Sequence, residues 1–263
     1  MQARTLTATD GWRWLGRGFA LFRRNPALLT LLMLAYWLML LSVSQLPGVG
    51  WPLANILVPA FSVSLMSACR NLEQSRMLDF TVLFSGFRRQ LRPLLILGAL
   101  YFAAFLLALA ASSIADGGLF FQTALGQHRA TEEEIAQGVF LVPMQVMMLT
   151  LLPALMATWF APVLIAWHDF GIGKALFFSF VACMRNWLPF LTYGLCMLLF
   201  GGLLPTLLFI LLLSVGAVAP DFAFGLAMLP VVFIYAPSVI ASFYVSYRDI
   251  FAADETPRID EEA

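Results

Sequence analysis

The chain has 263 residues, 61% of them hydrophobic and 11% charged, with 15 basic residues against 15 acidic ones. A soluble domain of this size is about half apolar and about a quarter charged. So few charges cannot hold so apolar a surface in water, which excludes an ordinary soluble enzyme and makes lipid the expected solvent.

The first predicted element is an arginine-rich helix. Trp12, Leu15, Phe19 and Phe22 fall on one face, and Arg13, Arg17 and Arg24 fall on the opposite side. That pattern predicts a helix lying in the membrane surface. Asp10 stands where its N-cap would be. The segment does not read as a signal peptide, because the apolar run after it is longer than a signal core. Asn25 then predicts a cap, and Pro26 begins a new helix where its missing N–H costs nothing.

A span needs about 20 apolar residues to cross a hydrocarbon core roughly 30 Å thick. Ala27–Ser44 and Val49–Cys69 are the first two, joined by an uncharged turn. Residues 70–93 carry Arg70, Arg76, Arg88, Arg89 and Arg92. Within them Phe80, Leu83, Phe84, Phe87 and Leu91 predict a second surface helix, with Asp79 at its start. Leu94–Ala115 is the third span. Residues 116–138 hold one basic residue, Arg129, and the run Thr131, Glu132, Glu133, Glu134. That run reads as a capping box, so the fourth helix should start there and become a span at Val139–Trp167. Residues 174–189 predict a third surface helix, apolar nearly all round and therefore expected to be more buried in protein. Leu188–Leu213 and Phe222–Val245 complete six spans, and residues 252–263 read as a disordered acidic tail.

The basic residues alternate by side. Five, five, two and two fall on one side and only Arg129 on the other. The positive-inside rule then places both termini in the cytoplasm. Headgroup attraction follows for Arg13, Arg17, Arg24, Arg88, Arg89 and Arg185, because anionic lipids draw basic residues at about 1 kcal/mol each. Plain anchoring by separate hydrated side chains is the alternative. Nucleic acid is not an expected partner, because these residues lie where lipid headgroups are. A packed bundle should bring Arg24, Arg89, Arg185, Arg70 and Arg248 together, where they bind lipid phosphates or pair with Asp169, Asp249, Glu73 and helix C-terminal carbonyls.

The elements repeat. Arg24-Asn25, Arg89-Gln90 and Arg185-Asn186 correspond, as do Phe19, Phe84 and Phe180. Pro52–Asn71 aligns without a gap to Pro230–Asp249, and Pro153 and Pro162 echo the paired prolines. The predicted fold is therefore all-α and integral to the membrane. It comprises six transmembrane helices in three units of surface helix plus hairpin, at about 10–71, 78–169 and 172–251, within one domain of residues 1–251.

The Arg-Asn-x-Pro-like corners, the paired prolines and the ending Tyr247–Phe251 resemble an uncharacterised group of six-span bacterial inner-membrane proteins. That group is distantly similar to the membrane region of bacterial glycerophosphodiester phosphodiesterases. The resemblance covers about residues 11–251 and implies an inner-membrane location. It carries no catalytic residues, and no soluble phosphodiesterase domain is present to imply that activity.

The sequence carries no nucleophile motif, phosphate loop, paired carboxylates or metal set, so neither catalysis nor a cofactor is expected. The spans carry no charge clear of their boundaries, which argues against ion-coupled transport. The polar residues Asn55, Gln145, Thr150, Tyr193, Tyr235, Ser238, Ser242 and Tyr244 predict hydrogen bonds between helices. Kinks at Pro59, Pro162 and Pro237 would line a cavity if one exists, and otherwise they pack. The expected role is lipid interaction or scaffolding, with transport of an uncharged or amphipathic solute as the alternative.

Overall fold

The computed structural model describes residues 3–76, 79–88, 90–215 and 219–251. Among them the fold is helical and contains no strand. Six segments are long and apolar enough to cross a membrane: Pro26–Ser44, Gly50–Glu73, Leu91–Asp116, Leu141–His168, Trp187–Ser214 and Pro220–Phe251. Each overlaps one predicted span.

The first helix, α1 (Ala8–Phe22), is capped by Thr7 rather than by Asp10. Asp10 sits one turn in, and its carboxylate accepts from the Thr7 backbone N–H at 2.8 Å and from the Thr7 hydroxyl at 2.7 Å. Burial works against this carboxylate, but those bonds and Arg13 together hold it below the usual range. One face of the helix packs closely on the fifth and sixth spans, while Trp12, Arg13, Arg17 and Phe19 stay exposed. Gly11 meets the backbone of Pro189 and Tyr193, Gly18 meets Ser242, and Trp14 is fully buried between them. Trp14 had no place in the predicted apolar face, because it lies toward the arginine side.

The next helix, α2 (Pro26–Ser44), is the first span. The Asn25 side chain caps it, accepting from the Leu28 N–H at 3.2 Å. The second span is α3 (Gly50–Glu73). The predicted second surface helix is shorter than its pattern implied. It consists of a 3-10 stretch, Phe80–Phe84, and a single turn, α4 (Ser85–Arg88). Gly86 explains the brevity: it lies against the Ala60 carbonyl, and its N–H donates to the Ser64 hydroxyl at 3.0 Å. Gln90, in a left-handed conformation at φ 54°, then turns the chain into the third span, α5 (Leu91–Asp116).

The outer connection holds α6 (Leu119–Ala124) and α7 (Glu132–Ala136). Thr131 caps α7 as its motif predicts, but α7 does not run on into the fourth span. Gly138, at φ 68°, breaks the chain there. The fourth span is itself divided into α8 (Leu141–Thr158) and α9 (Ala161–His168). Pro162 lacks an N–H to continue the ladder. Ser179 bridges the break, donating to the Met156 carbonyl at 2.8 Å and accepting from the Phe160 N–H at 2.9 Å.

Ser179 belongs to α10 (Ile172–Arg185), the third predicted surface helix. It is less buried than expected. Ala175, Ser179 and Ala182 face inward, while Phe177 is 64% exposed. Small residues at helical spacing let this helix approach closely, while Phe177 and Met184 are exposed.

The fifth span is α11 (Trp187–Leu198), a π-helical turn at Leu199–Leu203, and α12 (Leu204–Ser214). The sixth is α13 (Pro220–Pro230), a π turn at Val231–Tyr235, and α14 (Ala236–Phe251). Each π turn lies just before a proline, Pro205 or Pro237. A proline in a helix interior leaves the carbonyl four residues earlier without its donor. For Pro237 that carbonyl is Phe233, and the Thr30 hydroxyl from α2 donates to it at 3.0 Å.

The inner core gathers where α3, α9 and α14 meet. Phe160 stacks on Phe243 at 5.8 Å and meets Phe251 edge-on at 5.3 Å. Leu94, Leu97, Ile165 and Ile250 are fully buried around them. This core lies toward the arginine-bearing end. The α12 face stays open, with Leu207, Ile210 and Leu211 at least half exposed.

Candidate functional site

The arginine-bearing ends of the helices converge. The Glu73 carboxylate, in the last turn of α3, accepts from the Tyr244 hydroxyl at 2.6 Å and pairs with Arg248. Arg248 also reaches Asp249 at 2.9 Å, and Asp249 receives Arg17 of α1 at 2.8 Å. Arg24 donates to the Glu73 backbone carbonyl at 3.2 Å. Arg70 lies over the Trp167 ring at 4.9 Å, and His168 meets the Tyr247 hydroxyl at 2.6 Å. Chain segments 49 to 232 residues apart are tied here by charge-assisted bonds, the stronger class of hydrogen bond.

The corners before the odd spans use their amides differently. Asn25 is a cap. Gln90 donates to Asp169 at 2.8 Å. Asn186 is fully buried and clamps the N-terminal segment, accepting from Leu6 N–H at 2.8 Å and donating to the Arg4 carbonyl at 2.9 Å. Arg4 N–H in turn donates to the Ile250 carbonyl at 3.1 Å, so the two ends of the domain are joined. Burial pushes the nearby Cys183 thiol up to about 12, which leaves it an inert packing group.

Of the predicted headgroup residues, Arg13 pairs with Asp10 at 3.3 Å, with a side chain 57% exposed. Arg185 donates to the Thr5 hydroxyl at 3.2 Å, and Arg88 is exposed at the end of α4. Arg17 and Arg24 are drawn into the network above. Arg89 and the tail 252–263 lie outside the described residues. Sequence reasoning missed Arg23, which is exposed and lies 6.0 Å from the Phe19 ring centre. Its place beside Arg24 was the available signal.

The polar span residues divide into two groups. Tyr193 bonds Ser242 at 2.6 Å, Tyr235 donates to the Met197 carbonyl at 2.9 Å, and Tyr244 reaches Glu73. Asn55, Thr150 and Ser238 turn back onto their own helices.

An apolar groove of about 450 Å³ lies between α1 and the π turns of the fifth and sixth spans. Leu15, Gly16 and Phe19 form one wall, and Leu204, Pro205 and Pro230 lie opposite. A second hollow, of about 650 Å³, adjoins it between α1, α2 and the sixth span. Pro59, Pro162 and Pro237 are all buried. None of the three is among the residues lining either hollow, although Ser238, next to Pro237, lines the groove; Pro59 and Pro162 sit in the core. Those two are enclosed because α3 and α9 are the innermost helices.

The chain is similar to a probable inner membrane protein of Burkholderia thailandensis, 33% identical over 261 residues that cover 97% of this chain and 96% of the relative. No family profile matches the chain, and no solved structure matches it.

Proposed function

The chain belongs to the family of that inner membrane protein, and on this footing we propose a non-catalytic, lipid-interacting membrane protein that can serve as a scaffold, with both termini in the cytoplasm. The observation that carries the reading is the division of labour among the arginines. Arg17, Arg24 and Arg248 hold the helix ends together, while Arg13, Arg88 and Arg185 keep exposed guanidinium groups at the same end. Exposed arginines beside an apolar belt suit anionic headgroups, which they engage through a planar fork.

The proposal extends to three repeated units of surface segment plus hairpin. The segment before each odd span packs on an even span: α1 on α14, α4 on α3, and α10 on α8 and α9. Ser64 and Ser242, matched in the gapless alignment, each receive a glycine from such a segment. A distant kinship with the membrane region of phosphodiesterases fits as well, since that region is not their catalytic part. The rival, a transporter of an uncharged or amphipathic solute, draws on the facing π turns of the last two spans.

Native mass spectrometry separates the readings. Replacing Arg88, Arg89 and Arg185 together by Gln should lower the number of anionic lipids retained per chain. An unchanged number ends the headgroup reading, and solute uptake by reconstituted vesicles would favour the transporter.

A further inference from the structure

We propose that the groove beside α1 is a specific site for one anionic diacyl phospholipid, with its phosphate at Arg23 and its two chains on either side of Phe19 and Ile234. The proposal rests on the lipid-interacting reading but places the ligand at an arginine that is not among those named there.

The groove and the adjoining hollow share Phe19 and Ile234, which form a ridge between two apolar channels. Along the sixth span the groove runs from Ser238 to Ala227, about 16 Å at the usual helical rise. Its volume of about 450 Å³ lies within the range of small-ligand sites, about 300–1,000 Å³. The prolines and π turns keep this space open. Tyr235 fills the kink against Gly201 and donates inward to Met197, so its polar atom is turned away from the groove.

Charge selects the occupant. An acyl chain gains little by leaving lipid tails for an equally apolar wall. Shape and headgroup must therefore supply the preference. Arg23 lines the second channel where it meets the ridge. It sits at the C-terminal end of α1, where a cation suits the helix dipole. Among the described residues no carboxylate pairs with it, unlike Arg13 or Arg17. Its guanidinium is thus available to a phosphate that enters with the chains.

The test uses the full chain in detergent and counts bound lipid by native mass spectrometry. The probes are phosphatidylglycerol, its single-chain form, phosphatidylcholine and inorganic phosphate. Gly16→Phe fills the groove from α1, where an added Cβ meets nothing within 4 Å. Leu204→Trp fills it from the opposite wall. One phosphatidylglycerol per wild-type chain is expected, and either variant should weaken it by about tenfold. Arg23→Gln should remove the preference over phosphatidylcholine, also about tenfold, the scale of one charge-assisted hydrogen bond. Unchanged retention in both filled variants overturns the site. Equal binding of the single-chain lipid overturns the two-channel placement, and equal binding of inorganic phosphate reduces the site to a bare anion contact. If only the Arg88, Arg89 and Arg185 replacement loses lipid, the groove fails and the headgroup reading stands. If the wild type retains no anionic lipid, both fall.

Discussion

Gly16 and Gly18 lie two residues apart in α1 and face different surroundings. A Cβ on Gly18 would sit 2.5 Å from Ser242, while one on Gly16 meets open space. Gly18→Ala should therefore cost about 1–3 kcal/mol, the scale of overpacking. Gly16→Ala should instead gain about 0.5–1 kcal/mol from helix propensity. Thermal melting in detergent reads both, and a Gly18→Ala protein as stable as the parent would refute the close approach. The ionic cluster permits a second comparison. Arg248→Ala removes the ion-pair partner that Glu73 and Asp249 share, while Glu73 keeps the Tyr244 hydroxyl and Asp249 keeps Arg17. Both side chains of the Arg248–Glu73 pair are about 30% exposed, so solvent screens the loss to about 1–2 kcal/mol. Arg17→Ala leaves Asp249 still paired with Arg248 and should cost less, about 0.2–1 kcal/mol. The opposite order of melting temperatures would place the hub at Asp249 instead.

The helices themselves were readable because long apolar runs and arginine-proline corners are local signals. Asn25 capping α2 and Thr131 capping α7 follow from side-chain reach alone. Contacts between distant segments were not readable in the same way. The periodicity of residues 80–91 looks helical, yet Gly86 against Ala60 holds that segment to a 3-10 stretch and one α turn. The bonds that Thr30 and Tyr235 make across helices near the π turns lie in no single window of sequence. The sequence places Glu73, Asp249 and Asp169 near the helix-end arginines, but their distribution over Arg248, Arg17 and Gln90 follows only from the packed bundle. The start of α7 carries a prediction of its own. The Glu134 carboxyl is held below its usual range by the Thr131 N–H and by His128. A lowered carboxyl stabilises the fold above its ordinary value and stops doing so as pH falls through the lowered one. Amide protection over residues 131–136 should thus be full at neutral pH and fall in acid, and Glu134→Gln should abolish that dependence. Equal acid loss in Glu134→Gln would assign it to another group.

At the scale of the molecule, the buried core and the arginines occupy the same end. There α3, α9 and α14 meet, and the segment from Arg4 to Leu6 closes the bundle through Asn186 and Ile250. The other end is loose and apolar, as a bundle solvated by lipid tails can afford to be. This asymmetry and the charge pattern point the same way. Translocating an arginine-rich loop is costly, so the Arg70 and Arg88 connection should stay inside, whereas the connection with Arg129 alone should cross. Single introduced thiols test the layout in intact cells. The three native cysteines, Cys69, Cys183 and Cys196, are buried, so background labelling should be low. Gln127→Cys should react with an impermeant reagent, and Gln74→Cys and Asp254→Cys should react only after permeabilisation. Labelling at Gln74 without labelling at Gln127 would invert the protein in the membrane. Labelling at both Gln127 and Asp254 in intact cells would mean an even number of crossings between them, and one of the three apolar helices there would then have to lie outside the bilayer.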